Sequence, residues 1–343
     1  MVDAPGTQAG GEGPRLRSLR RDLPRLLAAV ALAGWAVWGP PAIPPPKPPL
    51  NIALYDWPGY SPLFLAESRG DIDRSRFRLV GLSSASAVSV GLRSGTIDVA
   101  GMTLDEAVRL VEQGARLSIL LVLDESVGAD GLVARGTYEN VAALKGRRIG
   151  AETMGTGGYL LGRALEKNGL APSDVDIVDV PPDRLLSEWK SSELDAVVAY
   201  DPLLHDLAAA GGRILFDSAE IPGEIVDVLV VRGDLRSSRS RDLQDLVQEW
   251  LAVTARLRSE PEPFLDELAR ETRRDRATVE AFLGRIRIPG PEETRSMIEG
   301  PSATLRTTAR RIAGQLAGLA PAPGGSPVDS MFPTAVPGLD GGT

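Results

Sequence analysis

The sequence contains no cysteine and a single histidine, His205. The absence of cysteine excludes disulfides, thiolate nucleophiles, cysteine-bound metals and a lipid attached through an N-terminal cysteine. One histidine is too few for a histidine-based metal site. We therefore predict no metal site, no cofactor and no catalytic residues.

Basic residues are also in deficit, because 38 Lys and Arg face 46 Asp and Glu for a net charge of −8. Most of the acidic excess lies in the body of the chain, after residue 49. Such a body repels nucleic acid and anionic membrane surfaces, so nucleic acid is not a predicted partner. The 343 residues, 43% of them hydrophobic, can bury a core in one large domain or two small ones.

The start of the chain has the layout of an export signal. A basic segment, 1–25, contains five arginines and precedes the apolar run 26–38, which a proline-rich linker, 39–49, follows. This order is typical of a secretory signal, and the apolar run is shorter than the about 20 residues of a spanning helix. We predict a periplasmic or otherwise extracytoplasmic body. Two points stay open: whether 26–38 is cleaved or anchors the chain in the inner membrane, and whether export follows the Sec or the twin-arginine route.

From residue 50 onward, apolar strands alternate with helices. Leu50–Tyr55 is a predicted strand, and Thr103 with Glu106 is predicted to form a capping box at a helix start. This alternation predicts an α/β fold with mostly parallel sheets. Because the pattern breaks near 124–130 and near 217–226, we predict two α/β lobes.

The predicted boundaries follow from these breaks. The first lobe comprises 50–124 and 217–318, the second comprises 129–216, and the Pro/Gly-rich tail 319–343 is predicted to be disordered. Gly128 is the predicted hinge, since glycine tolerates the backbone change that a hinge needs. Ligands of open α/β sheets bind at the carboxyl ends of strands, so we predict a ligand cleft between the lobes.

Five segments, taken in order, carry a family resemblance. They are 57–66 (WPGYSPLFLA), 92–100 (LRSGTIDVA), 124–131 (DESVGADG), 144–150 (LKGRRIG) and 194–202 (LDAVVAYDP). They resemble the substrate-binding proteins of ABC importers of the nitrate, sulfonate, taurine and thiamine-precursor type, the NMT1-like group. The resemblance implies a type II periplasmic binding fold, which closes on a small solute and delivers it to a permease and its ATPase. We expect a monomer that is not an enzyme.

Ten residues are predicted to contact the ligand, because they lie in loops or helix starts that would face the cleft. They are Trp57, Tyr60, Ser84, Ser86, Thr103, Ser126, Asp130, Thr156, Gly157 and Asp201. Ordinary structural roles are the alternatives. Trp57 would then pack at a lobe edge, the hydroxyl residues and Asp201 would cap helices, and 153–158 would form a tight turn.

The predicted cleft segments contain several acids and no Lys, Arg or His. A free anion would depend on backbone N–H groups and hydroxyls alone, so a neutral or amine-bearing organic solute is favoured over nitrate or sulfonate. Sulfonate, taurine, nitrate and pyrimidine or amine solutes all stay within the predicted class. Two other functions stay open: an enzyme of thiamine-precursor or menaquinone biosynthesis on the same fold, and a membrane-anchored solute sensor.

Overall fold

The computed structural model describes residues 23–30, 47–191, 193–299, 303–316, 326–336 and 338–339. The chain divides into two units, Met1–Lys47 and Pro48–Thr343. In the first unit, residues 23–30 form an exposed helix, α1. The rest of the predicted signal or anchor, 31–38, lies outside the described residues. Within the part of the chain that is described, no helix combines the length and the apolar character needed to cross a bilayer.

The second unit contains two β-sheets. The strands in chain order are β1 (Leu50–Tyr55), β2 (Phe77–Leu82), β3 (Val99–Thr103), β4 (Leu117–Ser126), β5 (Asp130–Arg135), β6 (Arg148–Ala151), β7 (Asp176–Asp179), β8 (Ala196–Tyr200), β9 (Gly212–Asp217), β10 (Val226–Arg232) and β11 (Ile286–Arg287). The first sheet has the order β11-β4-β10-β3-β1-β2, and the second has the order β7-β6-β8-β5-β9. The predicted lobe boundaries remain a prediction.

Helices join and cover these strands. They are α2 (Ser61–Arg69), α3 (Ala85–Ser94), α4 (Leu104–Glu112), α5 (Thr156–Lys167), α6 (Pro182–Ser191), α7 (Leu203–Ala209), α8 (Leu235–Ser238), α9 (Ser240–Ser259), α10 (Pro261–Thr272), α11 (Arg276–Leu283), α12 (Pro291–Ile298) and α13 (Thr304–Leu316). Pro261 and Pro291 begin α10 and α12, because proline fits the first turn of a helix and not its interior.

The sheets are mixed, so the prediction of mostly parallel sheets is wrong. Parallel pairing joins β1 to β2 and β3, and β6 to β7 and β8. The other strand pairs of the described residues are antiparallel. The reason is that β5 and β10 enter their sheets from the opposite sheet. A helical crossover within one sheet, which makes successive strands parallel, does not precede them.

The chain passes between the sheets twice. It leaves the first sheet after β4 and enters the second at β5, and it returns between β9 and β10. We call residues 127–129 the outward crossing and residues 218–225 the return crossing. Every residue of β4 is buried, as expected for a central strand that is covered on both faces.

Part of the predicted disordered tail is packed. Val328, Met331 and Val336 are buried, although the composition of 319–343 predicts disorder. Arg310 Nε donates to a carboxylate oxygen of Asp329 at 2.9 Å, which ties this segment to α13. The few apolar residues of the segment supply enough burial to order 326–336 against the first sheet's helices.

Candidate functional site

A narrow, largely enclosed cavity of about 30 Å³ lies between the two sheets. It is lined by Tyr55, Trp57, Ala85, Thr103, Glu106, Asp130, Glu152, Thr156, Gly157, Pro182, Leu185, Val198, Ala199, Tyr200 and Asp227. These residues lie at or near the carboxyl ends of β1, β3, β6 and β8, in the first turns of α3, α4, α5 and α6, and on β5 and β10. Strand ends of this kind are where α/β sheets bind ligands.

One wall of the cavity is aromatic and apolar. The rings of Trp57 and Tyr200 meet edge to face, with centroids 5.9 Å apart and planes at 74°. Tyr55 lies at the end of β1, and Pro182 and Leu185 contribute aliphatic surface from α6. Aromatic faces bind flat or cationic groups, so this wall suits the organic part of a solute.

Trp57 is held in place by a buried acid. Its indole Nε1 lies 3.1 Å from both carboxylate oxygens of Asp124, to which it donates. Gly59 makes this approach possible, because a Cβ at position 59 would lie 2.0 Å from Asp124 Oδ2. The Trp-Pro-Gly sequence therefore positions one aromatic ring of the cavity.

The polar part of the lining is acidic. Glu106, Asp130, Glu152 and Asp227 line the cavity, and none of the described lining residues is Lys, Arg or His. Burial raises the pKa of Glu106 well above its ordinary value, and the charges of Asp105 and Glu152 add to this effect. Burial also raises the pKa of Asp227 well above the ordinary value. The cavity is thus a poor place for negative charge.

Asp130 and Asp124 show the same effect. Burial raises the pKa of Asp130 to about 7, although a hydrogen bond from Ser126 acts in the opposite direction. Burial raises the pKa of Asp124 to about 8, against the hydrogen bond from Trp57.

Within the described ranges, no group of three or more potential ligands is arranged to hold a metal ion.

Hydroxyl groups and carboxylates connect the two sides of the cavity. Thr103 Oγ1, beside the first sheet, lies 2.7 Å from Thr156 Oγ1 at the start of α5. Thr156 Oγ1 also donates to Glu106 Oε1 at 3.3 Å. At the rim, Ser86 Oγ donates to Glu152 Oε1 at 2.9 Å. The cavity is therefore bridged from one sheet's elements to the other's.

Half of the predicted contact residues line this cavity: Trp57, Thr103, Asp130, Thr156 and Gly157. Three of these are on the second sheet's side and two are on the first sheet's side. The structure therefore brings together residues that are about a hundred positions apart in the chain, as the prediction of a cleft requires. Their role in binding stays a prediction.

The other predicted contact residues do not line the cavity. Tyr60 lies behind it, where its hydroxyl donates to Asp227 Oδ1. Ser84 caps α3 by accepting from Ala87 N–H at 3.3 Å, which is the structural alternative named above. Ser86 reaches the lining only through Glu152.

Ser126 and Asp201 also lie outside the lining. The Ser126 hydroxyl, at the end of β4, is 2.7 Å from Ser218 Oγ in the return crossing. Asp201 accepts from Arg285 Nη1 at 3.1 Å and is not part of the cavity lining. The predicted hinge, Gly128, has φ 99°, a left-handed conformation that favours glycine, and its role as a hinge stays a prediction.

Sequence reasoning missed other members of the lining as contact residues: Tyr55, Glu106, Glu152 and Asp227. A signal for one of them is visible in the sequence. Asp227 interrupts an otherwise apolar strand, VDVLVV. Because burial of an acid costs free energy, an acid inside a buried strand indicates a specific role.

Comparisons with known proteins agree with this architecture. Residues 43–270 match the model of a family described as NMT1-like. The taurine-binding periplasmic protein of Escherichia coli (strain K12) is 25% identical over 220 residues, which are 63% of this chain and 65% of that protein. The chain thus spans less than two thirds of the length of this relative. The resemblance to the NMT1-like group is confirmed.

Solved structures match over more of the chain. The alkanesulfonate-binding protein SsuA from Xanthomonas axonopodis pv. citri, bound to MOPS, has a TM-score of 0.68 at 17% identity and covers 85% of this chain and 96% of that chain. The periplasmic nitrate-binding protein NrtA from Synechocystis PCC 6803 has a TM-score of 0.64 at 12% identity, with 82% and 83% coverage. The predicted periplasmic binding protein fold is confirmed. These relatives are named as binding proteins, in agreement with the prediction that the chain is not an enzyme.

Proposed function

Because the chain belongs to the NMT1-like family, we propose that it is the solute-binding component of an ABC importer and acts outside the cytoplasmic membrane. It captures a small organic solute between its two sheets and delivers it to a membrane permease that an ATPase drives. The observation that carries this proposal is the cavity itself, which residues at the strand ends of both sheets line together.

The contacts around the cavity support capture by closure. Thr103 and Thr156 touch across it, and the Gly128 N–H of the outward crossing donates to Ser218 Oγ of the return crossing at 2.6 Å. Two short crossings allow the sheets to move as units, with Gly128 as the proposed hinge. A solute that touches both sides stabilises the closed form, because ligands shift a conformational equilibrium toward the form that they bind better.

The relatives and the N-terminal segment support transport. The named relatives are binding proteins for taurine, alkanesulfonate and nitrate, and two of the three are described as periplasmic. The basic segment and apolar run at the start of this chain have the order of an export signal. A binding protein outside the membrane is therefore the function that these features favour.

The test is to identify the solute and follow its import. The full-length protein is purified without added ligand and denatured, and the released small molecules are identified by mass spectrometry. The identified solute should rebind unchanged, should raise the melting temperature, and should enter cells that have the gene faster than cells that lack it. Conversion of the solute by the protein, or equal import in both strains, would contradict the proposal.

A matched pair of variants connects the binding to the cavity. Trp57→Ala removes an aromatic wall and is expected to weaken binding of the released solute at least about 10-fold. His205→Ala changes an exposed residue outside the lining and should leave the affinity unchanged. Equal affinities of the two variants would mean that the solute binds elsewhere.

A further inference from the structure

We propose that the solute carries a protonated amine with at least one N–H group, and that Asp130 accepts a hydrogen bond from it. This inference rests on the proposed solute-binding function and names the chemical class of the solute. Three features of the cavity support it: a buried oxygen without a partner among the described residues, the acids around that oxygen, and the apolar part of the lining.

Asp130 presents an unsatisfied acceptor at the cavity. It is the first residue of β5, directly after the outward crossing, and only 6% of its surface is exposed. Its Oδ2 is buried and has no hydrogen-bond partner in the described structure. A buried acceptor without a donor costs about 1–3 kcal/mol, so a donor supplied by the ligand recovers that free energy.

The lining around Asp130 contains further acids, and it therefore favours a cation over an anion. Glu106, Glu152 and Asp227 line the same cavity, and no basic side chain of the described residues lines it. Two bases outside the lining act on acids that also lie outside it. Arg285 pairs with Asp201 at 3.1 Å, and the charge of Arg109 acts on Asp105. The positive charge that this group of acids lacks can therefore come from the solute.

The helix starts that would otherwise hold an anion already face acids. Glu106 Oε2 accepts from Thr103 N–H at 3.3 Å, before α4, and Glu106 Oε1 accepts from Thr156 Oγ1 at 3.3 Å, at the start of α5. Ser84 Oγ fills the same position at α3. A sulfonate or nitrate would lie beside Glu106 and Glu152 and would compete with them for these donors.

A metal ion fits less well than an amine. A bound divalent cation takes about six or more oxygen ligands, and the described acids do not form even a three-ligand group. Asp227 already accepts from the Tyr60 hydroxyl, which leaves fewer free oxygens. An ammonium group needs few acceptors and gains from aromatic rings such as Tyr55 and Trp57.

The rest of the lining indicates the polarity and shape of the part of the solute that carries the amine. Pro182, Leu185 and Val198 form an aliphatic surface, and Tyr200 adds an aromatic edge. These groups bury carbon and hydrogen-bond little, so an amine attached to a small apolar or flat body matches the cavity. The orphan oxygen of Asp130 requires an N–H donor, so a primary, secondary or tertiary ammonium fits better than a quaternary one.

The test separates the ammonium from the rest of the molecule. The ligand-free full-length protein is titrated calorimetrically at pH 8 with benzylamine, benzyl alcohol and benzenesulfonate. A second set comprises taurine, which has both an amine and a sulfonate, and 2-hydroxyethanesulfonate, which lacks the amine. We expect each amine to bind at least about 30-fold more tightly than its amine-free counterpart.

Two variants assign the effect to Asp130. Asp130→Asn keeps the shape and removes the charge, and it should lower the affinity for benzylamine by about 30-fold. Glu139→Gln makes the same change at an exposed acid outside the lining and should bind like the original protein. Melting curves without ligand verify that both variants are folded.

The outcomes distinguish this inference from the proposed function. Tight binding of benzenesulfonate or 2-hydroxyethanesulfonate without amine binding would overturn the inference and leave the solute-binding function standing. Unchanged benzylamine affinity in Asp130→Asn would overturn it too. If no probe binds, the solute released from the native protein decides, since a solute without an amine refutes the inference. A protein that neither releases nor binds any solute refutes the proposed function.

Discussion

Two buried acids lie at the two crossings between the sheets, and they differ in the partners that surround their carboxylates. Glu224, in the return crossing, accepts from the Tyr159 hydroxyl and from Arg163 Nε, both at 2.8 Å, and Arg311 Nη1 lies 3.0 Å from its other oxygen. Asp130, after the outward crossing, has an oxygen without a partner among the described residues. The fold supplies counter-charges to one acid and leaves the other to face a cavity.

The protonation of the two acids follows from these surroundings. Burial acts to raise the pKa of Glu224, but the hydrogen bonds from Arg163 and Tyr159 outweigh it and hold the pKa below its ordinary value. Burial raises the pKa of Asp130 to about 7, with no arginine to oppose it. Arginines of the fold neutralise Glu224, whereas no arginine does so for Asp130 among the described residues. This difference is expected if Glu224 has a structural role and Asp130 binds a ligand.

The largest expected effect comes from the same substitution at both sites. Glu224→Gln leaves Arg163 and Arg311 beside a neutral group, and we expect the free energy of unfolding to fall by about 3 kcal/mol. Asp130→Asn resembles the protonated acid that burial favours, so at pH 8 without ligand it should leave the stability unchanged or raise it. Urea unfolding of the two variants at pH 8 measures both differences. Equal losses of stability would remove the distinction between the two acids.

A smaller effect should appear in the pH dependence of stability. Burial raises the pKa of Asp130 to about 7 and that of Asp124 to about 8, from an ordinary value of 3.8. The folded protein therefore binds more protons than the unfolded chain between about pH 4 and pH 8. Each group contributes stability that is fully present below about pH 4 and is lost as the pH rises through the folded pKa. The slope is at most about 1.4 kcal/mol per pH unit per group.

Thermal unfolding of the ligand-free protein from pH 5 to pH 8 measures this slope. The melting temperature should fall with rising pH, and Asp130→Asn should flatten the curve below pH 7. The contribution of Glu224 to stability depends on pH in the opposite direction. Because the pKa of Glu224 is lowered in the folded protein, this contribution is lost only as the pH falls below the ordinary pKa of glutamate. A melting temperature that rises steadily across this window would show that the cavity acids are ionised in the folded protein.

The regular parts of the fold could be predicted from the sequence. The strand Leu50–Tyr55 has the predicted bounds, because it is an apolar segment between turn residues and pairs in parallel with a strand on each side. The direction of β5 and β10 could not be predicted. It depends on which sheet receives the chain after a crossing, and local patterns do not contain that information.

The candidate site was predictable in outline only. Loops at strand ends converge on one edge, so Trp57, Thr103 and Thr156 could be expected at the cavity. The direction of each side chain depends on register and packing, and this is why Tyr60 points away toward Asp227. Asp227 itself was missed as a contact residue because it reaches the cavity from an antiparallel strand whose position the sequence does not determine.

The smallest expected effect concerns Asp124, which is intermediate between the two acids compared above. Asp124 accepts from a neutral donor, the Trp57 indole, whose Nε1 lies 3.1 Å from both carboxylate oxygens. Trp57→Phe removes this donor and should lower the free energy of unfolding by about 1 kcal/mol more at pH 9, where Asp124 is ionised, than at pH 5. In an Asp124→Asn background the extra loss at pH 9 should vanish, which a double-mutant cycle measures. If the loss persists in that background, Trp57 stabilises the fold through packing alone. The neutral donor would then contribute nothing to Asp124, which would resemble Asp130 and not Glu224.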